Sequence, residues 1–215
     1  MLTVIPFHTD LDEATNSTVA NVIAGGGVIA VPTESSYALA ASPFHTDALR
    51  ALVRAKGRPD GKPILVLIGA VDQVRMLAAT VPPVAELLIR SFWPGPLTLV
   101  LPARSTLSPL LTANTGTIGI RLPAYPLLRQ LLVRVGPLTG TSANRSGESS
   151  FCTAQEVSAE LGEAVQILLD AGSTPGGIPS TVLDARTPVR MIREGAVSRA
   201  ALSDVLHDAG YALSP

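Results

Sequence analysis

Gly25-Gly26-Gly27-Val28-Ile29-Ala30-Val31-Pro32-Thr33-Glu34-Ser35-Ser36-Tyr37 is the stretch on which the fold turns. Upstream, Leu11–Ala24 has helical spacing and stops at the glycine triplet. Val28–Val31 is a short apolar run of the buried-strand type, halted by Pro32. Directly beyond it comes a cluster of hydroxyls with one carboxylate, where open α/β sheets place their ligands. Thr33 or Ser35 could simply cap a helix. Four hydrogen-bonding side chains and a tyrosine exceed what a cap needs, so a small polar ligand is expected here. The triplet precedes a strand instead of joining strand to helix, and the chain has no GxxxxGK[ST] run. It therefore matches neither a P-loop nor a dinucleotide fingerprint.

The same alternation continues outward. Strands are predicted at Leu2–Pro6, Ile64–Ile68, Leu97–Leu101, Thr117–Leu122, Pro137–Thr141, Val165–Leu169, Thr181–Asp184 and Val189–Arg193. Helical patterns cover Thr46–Ala55, Val71–Ala79, Val84–Ser91, Pro126–Val135, Thr153–Leu161 and Ser198–His207. Short apolar runs separated by helices define an α/β class, and the close spacing of the last two strands predicts a hairpin, hence a mixed sheet. With 215 residues, no repeat and no linker, one domain over 1–215 is expected, with its core at about 12–200.

Composition narrows the function. Hydrophobic residues make up 47% and charged ones 15%, so an ample core is expected; the net charge of −1 gives no global drive toward nucleic acid. A single cysteine, Cys152, excludes an intrachain disulfide, and His8, His45 and His207 lack metal-ligand spacing, so no protein metal site is expected. The N-terminus lacks a secretory pattern and no apolar run is long enough for a membrane span, which predicts a soluble, cytoplasmic protein without a membrane partner.

The two lysines stand out. Among 16 basic residues only Lys56 and Lys62 are Lys, and both lie in Lys56-Gly57-Arg58-Pro59-Asp60-Gly61-Lys62-Pro63. Where arginine otherwise carries the positive charge, a compact ammonium in a Gly- and Pro-rich turn points to an anion site for phosphate or carboxylate. Further polar loops follow apolar strands: Thr115-Gly116-Thr117, Arg121 at the end of its strand, Gly140 to Gly147, Pro179-Ser180-Thr181 and Arg193-Glu194-Gly195. They hold Lys, Arg, Ser, Thr and Asn, but no histidine, cysteine pair or carboxylate pair. That inventory argues against a nucleophile–base triad, zinc hydrolysis and glycosidase chemistry. It favours clamping of an anionic substrate, as in phosphoryl or nucleotidyl transfer.

The motif order resembles the YrdC-like family, the L-threonylcarbamoyladenylate synthases, from about Gly25 to Ser198. The matching stretches are Pro32 to Tyr37, Lys56-Gly57-Arg58-Pro59, Phe92-Trp93-Pro94-Gly95-Pro96-Leu97-Thr98, Gly119-Ile120-Arg121-Leu122-Pro123, Ser142-Ala143-Asn144, Ser180 to Asp184 and Arg193-Glu194-Gly195. The resemblance implies a single-domain, twisted mixed sheet with helices around it and a basic concave cleft, without the second C-terminal domain of longer members. It implies an enzyme that joins L-threonine, bicarbonate and ATP into threonylcarbamoyl-AMP and pyrophosphate, with Mg²⁺ assisting. Contact with tRNA, and delivery to a downstream threonylcarbamoyl transferase machinery, follow from the same resemblance.

Carried over motif by motif, Lys56, Arg58, Ser142 and Asn144 form the catalytic, phosphate-holding core. Thr33, Tyr37, Arg121, Ser180 and Thr181 are the threonine-side contacts. Lys62, Thr117, Ser150 and Arg193 join the ATP side. Trp93, between prolines, reads as core packing. Ala38 stands where the family generally has Gly, Ser35 where Thr is common, and Glu194 where a small residue or Pro is frequent. At these positions the chain is similar to a paralogous branch, so the alternative is a YrdC-like RNA-binding or ribosome-associated module, or one with a different carbamoyl-adenylate substrate.

Overall fold

The alternation along Thr117-Ile118-Gly119-Ile120-Arg121 shows how the architecture makes a site. In an extended strand successive side chains face opposite sides. Ile118 and Ile120 are wholly buried in the main core, while Thr117, Gly119 and Arg121 share the other face. The neighbouring strand repeats the pattern: Leu97, Leu99 and Leu101 point into the core, and Thr98 lies beside Gly119 on the polar face.

The computed structural model describes residues 1–57, 61–145 and 148–214. In chain order the elements are β1 (Thr3–Pro6), α1 (Glu13–Ala24), β2 (Ile29–Pro32), β3 (Tyr37–Ala40), α2 (Thr46–Lys56), β4 (Val66–Leu67), α3 (Val74–Leu77), α4 (Pro83–Phe92), β5 (Leu97–Pro102) and α5 (Pro109–Thr112). They continue with β6 (Thr117–Arg121), α6 (Pro126–Val135), β7 (Leu138–Thr139), β8 (Thr141–Ser142), α7 (Ala154–Leu161), β9 (Ile167–Asp170), β10 (Thr181–Asp184), β11 (Val189–Arg193), α8 (Arg199–Asp208) and β12 (Leu213–Ser214).

The strands form two mixed sheets where one was expected. A five-stranded sheet runs β1-β9-β2-β3-β8, and a seven-stranded sheet runs β12-β11-β10-β5-β6-β4-β7. The chain crosses from one to the other at Gly140, between β7 and β8. A side chain there would overlap the end of Leu67, so the crossing needs glycine. The five-stranded sheet is covered on both faces: Val28, Ala30 and Leu39 enter the main core, and Ile29, Val31, Ala38 and Ala40 enter a second cluster beneath α1 and α6. The expected hairpin of the last two long strands is present, β10 pairing antiparallel with β11.

Two local expectations change. The predicted helix Val71–Ala79 is a 3₁₀ turn, Val71–Gln73, leading into the single turn of α3. Tyr37, read as the end of a polar loop, opens a strand, Tyr37–Ala40, paired with β2 (Pro32↔Tyr37) and with β8 (Ala38↔Ser142). Alanine-rich sequence has weak strand preference, and two partners supply what propensity does not. Trp93 behaves as expected, 8% exposed and donating its indole N–H to the Leu97 carbonyl at 2.7 Å.

Tyr37 ties the five-stranded sheet to the loop after β9. Its hydroxyl donates to Gly172 O at 2.8 Å and accepts from Ala171 N at 3.0 Å. Burial, above all, pushes the phenol up to about 12 from 10.0. The unfolded chain gives up this proton near pH 10 while the folded chain keeps it to about 12. Stability is therefore expected to be intact below that window and to fall across it as pH rises. Denaturant titrations from neutral to alkaline pH check this, and the Tyr37→Phe variant should lose that part of the alkaline decline.

Candidate active site

Helix α2 ends at Gly57, which adopts the left-handed conformation (φ +56°) and leaves Lys56 as the last helical residue. Lys56 is 4% exposed. Its ammonium donates to Ser142 O at 2.6 Å, Asn144 O at 3.1 Å and Asn144 Oδ1 at 2.5 Å, with Ser142 Oγ at 3.3 Å. Ser142 Oγ donates to Asn144 Oδ1 at 2.7 Å, and Asn144 Nδ2 donates to Glu148 O at 2.6 Å. Three of the four residues assigned to the catalytic core thus come together from segments about 86 positions apart. Arg58, the fourth, lies outside the described residues.

A second cluster forms where β6 ends. Arg121 is 5% exposed, and its Nη2 sits 3.3 Å from Glu34 Oε1, linking the turn of one sheet to a strand of the other. Burial lowers the Arg121 guanidinium below its ordinary value; Glu34 opposes this and the charge of Arg193 adds to it. Arg193 in turn donates to Ser180 O at 2.7 Å, and Ser180 Oγ lies 3.0 Å from Thr98 Oγ1. Arg121, Ser180 and Arg193 therefore occupy neighbouring strand ends of the polar face. The two clusters rest on adjoining backbone: Ala143, between Ser142 and Asn144, donates to Tyr37 O at 2.8 Å, immediately after the turn that carries Glu34.

Other assigned residues fall differently. Thr181 is fully buried; its hydroxyl donates to Val197 O and accepts from Gly195 N at 2.9 Å and Val197 N at 3.0 Å. One donor and two acceptor positions are thereby filled, so Thr181 ties β10 to the segment before α8. The Tyr37 hydroxyl is likewise engaged by Ala171 and Gly172. Thr33 is 5% exposed and folds its own turn, donating to Ser36 O at 2.7 Å. No helix begins there, so the capping alternative is set aside. Thr117 stands at the far end of β6 from Arg121, about 13 Å away at the usual rise per residue and on the same face. Ser150 and Lys62 are exposed on flanking loops.

Close packing around Gly195 supports this geometry. A side chain at Gly195 would overlap Pro179 O and lie 2.6 Å from Thr181 N, backbone atoms that cannot turn aside. Gly195→Ala is expected to cost about 1–3 kcal/mol through forced backbone movement and to displace Ser180 and Arg193; thermal unfolding together with substrate titration checks both effects.

A cavity of about 260 Å³ adjoins Glu34 and Thr33, walled by Ala124, Tyr125, Ser173 and Thr174. A larger one, about 440 Å³, lies between α1 and α6 beside Arg134. The smaller is preferred as the ligand entrance because Thr33 and Glu34 of the β2–β3 turn line it. Among the described residues no three His, Cys, Asp or Glu side chains form a metal-holding group. Among them, too, no helix is long and apolar enough to cross a membrane. Glu34 is the site residue that sequence reasoning left without a role, although it was visible as the one carboxylate among the hydroxyls.

In this α/β protein a buried Lys at a helix end and a buried Arg at a strand end lie beside hydroxyl and amide side chains. The chain is a member of the Sua5/YciO/YrdC family, whose description is telomere recombination and which matches residues 21–195. A threonylcarbamoyl-AMP synthase of Pyrococcus abyssi is 33% identical over 199 residues, covering 92% of this chain and 58% of that protein. The Bacillus subtilis protein of the same name is 37% identical over 182 residues, covering 83% of this chain and 53% of its own length. The chain thus spans between half and three-fifths of these two relatives. The crystal structure of P. abyssi Sua5 complexed with L-threonine superposes with a TM-score of 0.90 at 31% identity, over 99% of this chain and 63% of that one.

Proposed function

We propose that this chain, as one folded unit, makes threonylcarbamoyl-AMP and pyrophosphate from L-threonine, bicarbonate and ATP. The observation that carries the reading is the cluster of Lys56, Ser142 and Asn144, set beside an Arg121 that is buried next to a single carboxylate. Relatives named threonylcarbamoyl-AMP synthase across most of this chain support the substrate set.

Arg121 offers a planar fork suited to the threonine carboxylate. Ser180 offers a hydroxyl for the threonine side chain, while Thr33 holds the β2–β3 turn that carries Glu34. Lys56, held in place by Ser142 and Asn144, acts on the phosphates through its charge, with Arg58 as the second cation; Thr117, Lys62, Ser150 and Arg193 border the nucleotide.

The threonine amine is first converted to a carbamate. A carbamate oxygen then attacks the α-phosphorus of ATP; the new P–O bond forms as the bond to the bridging oxygen breaks, and pyrophosphate leaves with that electron pair. Lys56 offsets charge developing on the phosphate oxygens, and no protein-bound intermediate is required. Mg²⁺, if engaged, travels on the nucleotide's own phosphates. The site's walls keep water from a carbamate that otherwise decomposes. The product supplies a threonylcarbamoyl transferase acting on tRNA.

The test is pyrophosphate release from ATP. Release that requires both L-threonine and bicarbonate supports the reading; release indifferent to threonine, or none at all, defeats it. Salt-dependent RNA binding without ATP consumption would favour the RNA-binding alternative.

A further inference from the structure

The Glu34–Arg121 pair is incomplete as a structural ion pair. The two charges lie 3.3 Å apart, yet neither Glu34 oxygen meets a hydrogen-bond donor, and Arg121 Nε also lacks an acceptor. All three atoms are shielded from solvent. Buried polar groups are nearly always satisfied, because leaving one unpaired costs free energy. The polar neighbours do not compete for these positions: Thr33 bonds its own turn, Tyr37 bonds Gly172, and Arg193 bonds Ser180. A buried cation with spare donor capacity beside a buried carboxylate with spare acceptor capacity complements a ligand that carries both charges on adjacent atoms. An α-amino-acid zwitterion is such a ligand; Glu34 lines a cavity of about 260 Å³, and Arg121 lies against Glu34 without lining that cavity itself.

We propose that Glu34 is a catalytic residue: it takes the proton from the α-ammonium of the bound amino acid and so permits carbamate formation. The inference rests on the synthase reading above. An α-ammonium has no lone pair and holds its proton at neutral pH, with a pKa of about 8 or higher. It cannot attack carbon until that proton leaves. Glu34 accepts it, giving R–NH₂ and a neutral Glu34 carboxyl. The amine nitrogen then forms a bond to the carbon of bicarbonate; a hydroxyl leaves with a second nitrogen proton as water, giving R–NH–COO⁻. Glu34 returns its proton to solvent, so the net change is R–NH₃⁺ plus HCO₃⁻ to R–NH–COO⁻, H₂O and H⁺.

Other groups near the site do not fill the role. Glu194 is bonded to Arg199 N at 2.8 Å, Glu148 is exposed, and the Tyr37 phenol holds its proton to about 12. Among the described residues, Arg121 faces Glu34 at 3.3 Å, Arg193 lies behind Arg121, and Tyr125 lines the same cavity as Glu34.

The experiment measures pyrophosphate release by the wild-type chain and by Glu34→Gln from pH 7 to 9, at saturating ATP and bicarbonate with threonine varied. Failure of the wild type to require threonine would sink the synthase reading itself. Given that requirement, Glu34→Gln is expected to lose about 100-fold in kcat at pH 7. The gap should close by about tenfold per pH unit as solution deprotonates the amine. Its KM for threonine should change less than kcat, and Glu34→Asp should recover part of the rate. Wild-type kcat in Glu34→Gln, or an equal deficit at pH 7 and pH 9, overturns the proposal. If Glu34→Gln loses its folded circular dichroism spectrum, Glu34→Asp carries the test: a deficit that shrinks with pH supports the role and a pH-independent one refutes it.

Discussion

Replacing Lys56 with Ala is expected to reduce pyrophosphate release by about 10²–10³-fold, the usual loss when a preorganised charge-stabilising donor is removed. The ammonium also holds three oxygens of Ser142 and Asn144 within 3.1 Å. The far-UV spectrum should therefore survive while amide exchange accelerates at 141–145, where backbone carbonyls lose their donor. Lys56→Arg should not restore turnover, because a planar fork cannot serve acceptors clustered around one point. Unchanged exchange with lost turnover would mean that Lys56 acts on substrate alone; collapse of the spectrum would make it chiefly structural and undo its assignment to the site.

Arg121→Met should have the largest effect on stability. It removes the counter-charge of Glu34, whose carboxylate oxygens are hidden from water. Breaking a buried pair from one side costs about 3–5 kcal/mol. The Glu34 side chain keeps 22% exposure, which favours the lower end. For a chain of this size about 3 kcal/mol lowers Tm by about 6–12 °C. Adding Glu34→Gln to Arg121→Met should recover much of that loss, since no bare charge is then left behind. The threonine KM should rise by about 100-fold or more in Arg121→Met, reflecting lost charge-assisted hydrogen bonds. A double variant less stable than either single one would show that the pair is held by packing instead of charge.

Much of this was visible in the amino-acid order. Gly25-Gly26-Gly27 ended a helix and Val28 to Val31 began a buried strand, as the structure has them. The Lys56–Gly57 turn and the Ser142-Ala143-Asn144 run were separately legible as polar segments. Glu34 was legible only as a member of a hydroxyl cluster, because nothing local says that its carboxylate meets an arginine 87 residues away. Thr181 and Tyr37 look like ligand contacts for the same reason: local sequence displays a hydroxyl but not the backbone groups that consume it.

The sequence by itself determined the α/β class, the strand–loop punctuation and the chemical inventory of the site, because periodicity and glycine or proline stops act over a few residues. Only the tertiary structure decided that the strands divide into two sheets, that Tyr37 to Ala40 is a strand, and which polar groups are already satisfied. Those outcomes depend on pairing and burial between residues remote in the chain, where hydrogen bonds and charges are completed or left open by whatever the fold brings beside them.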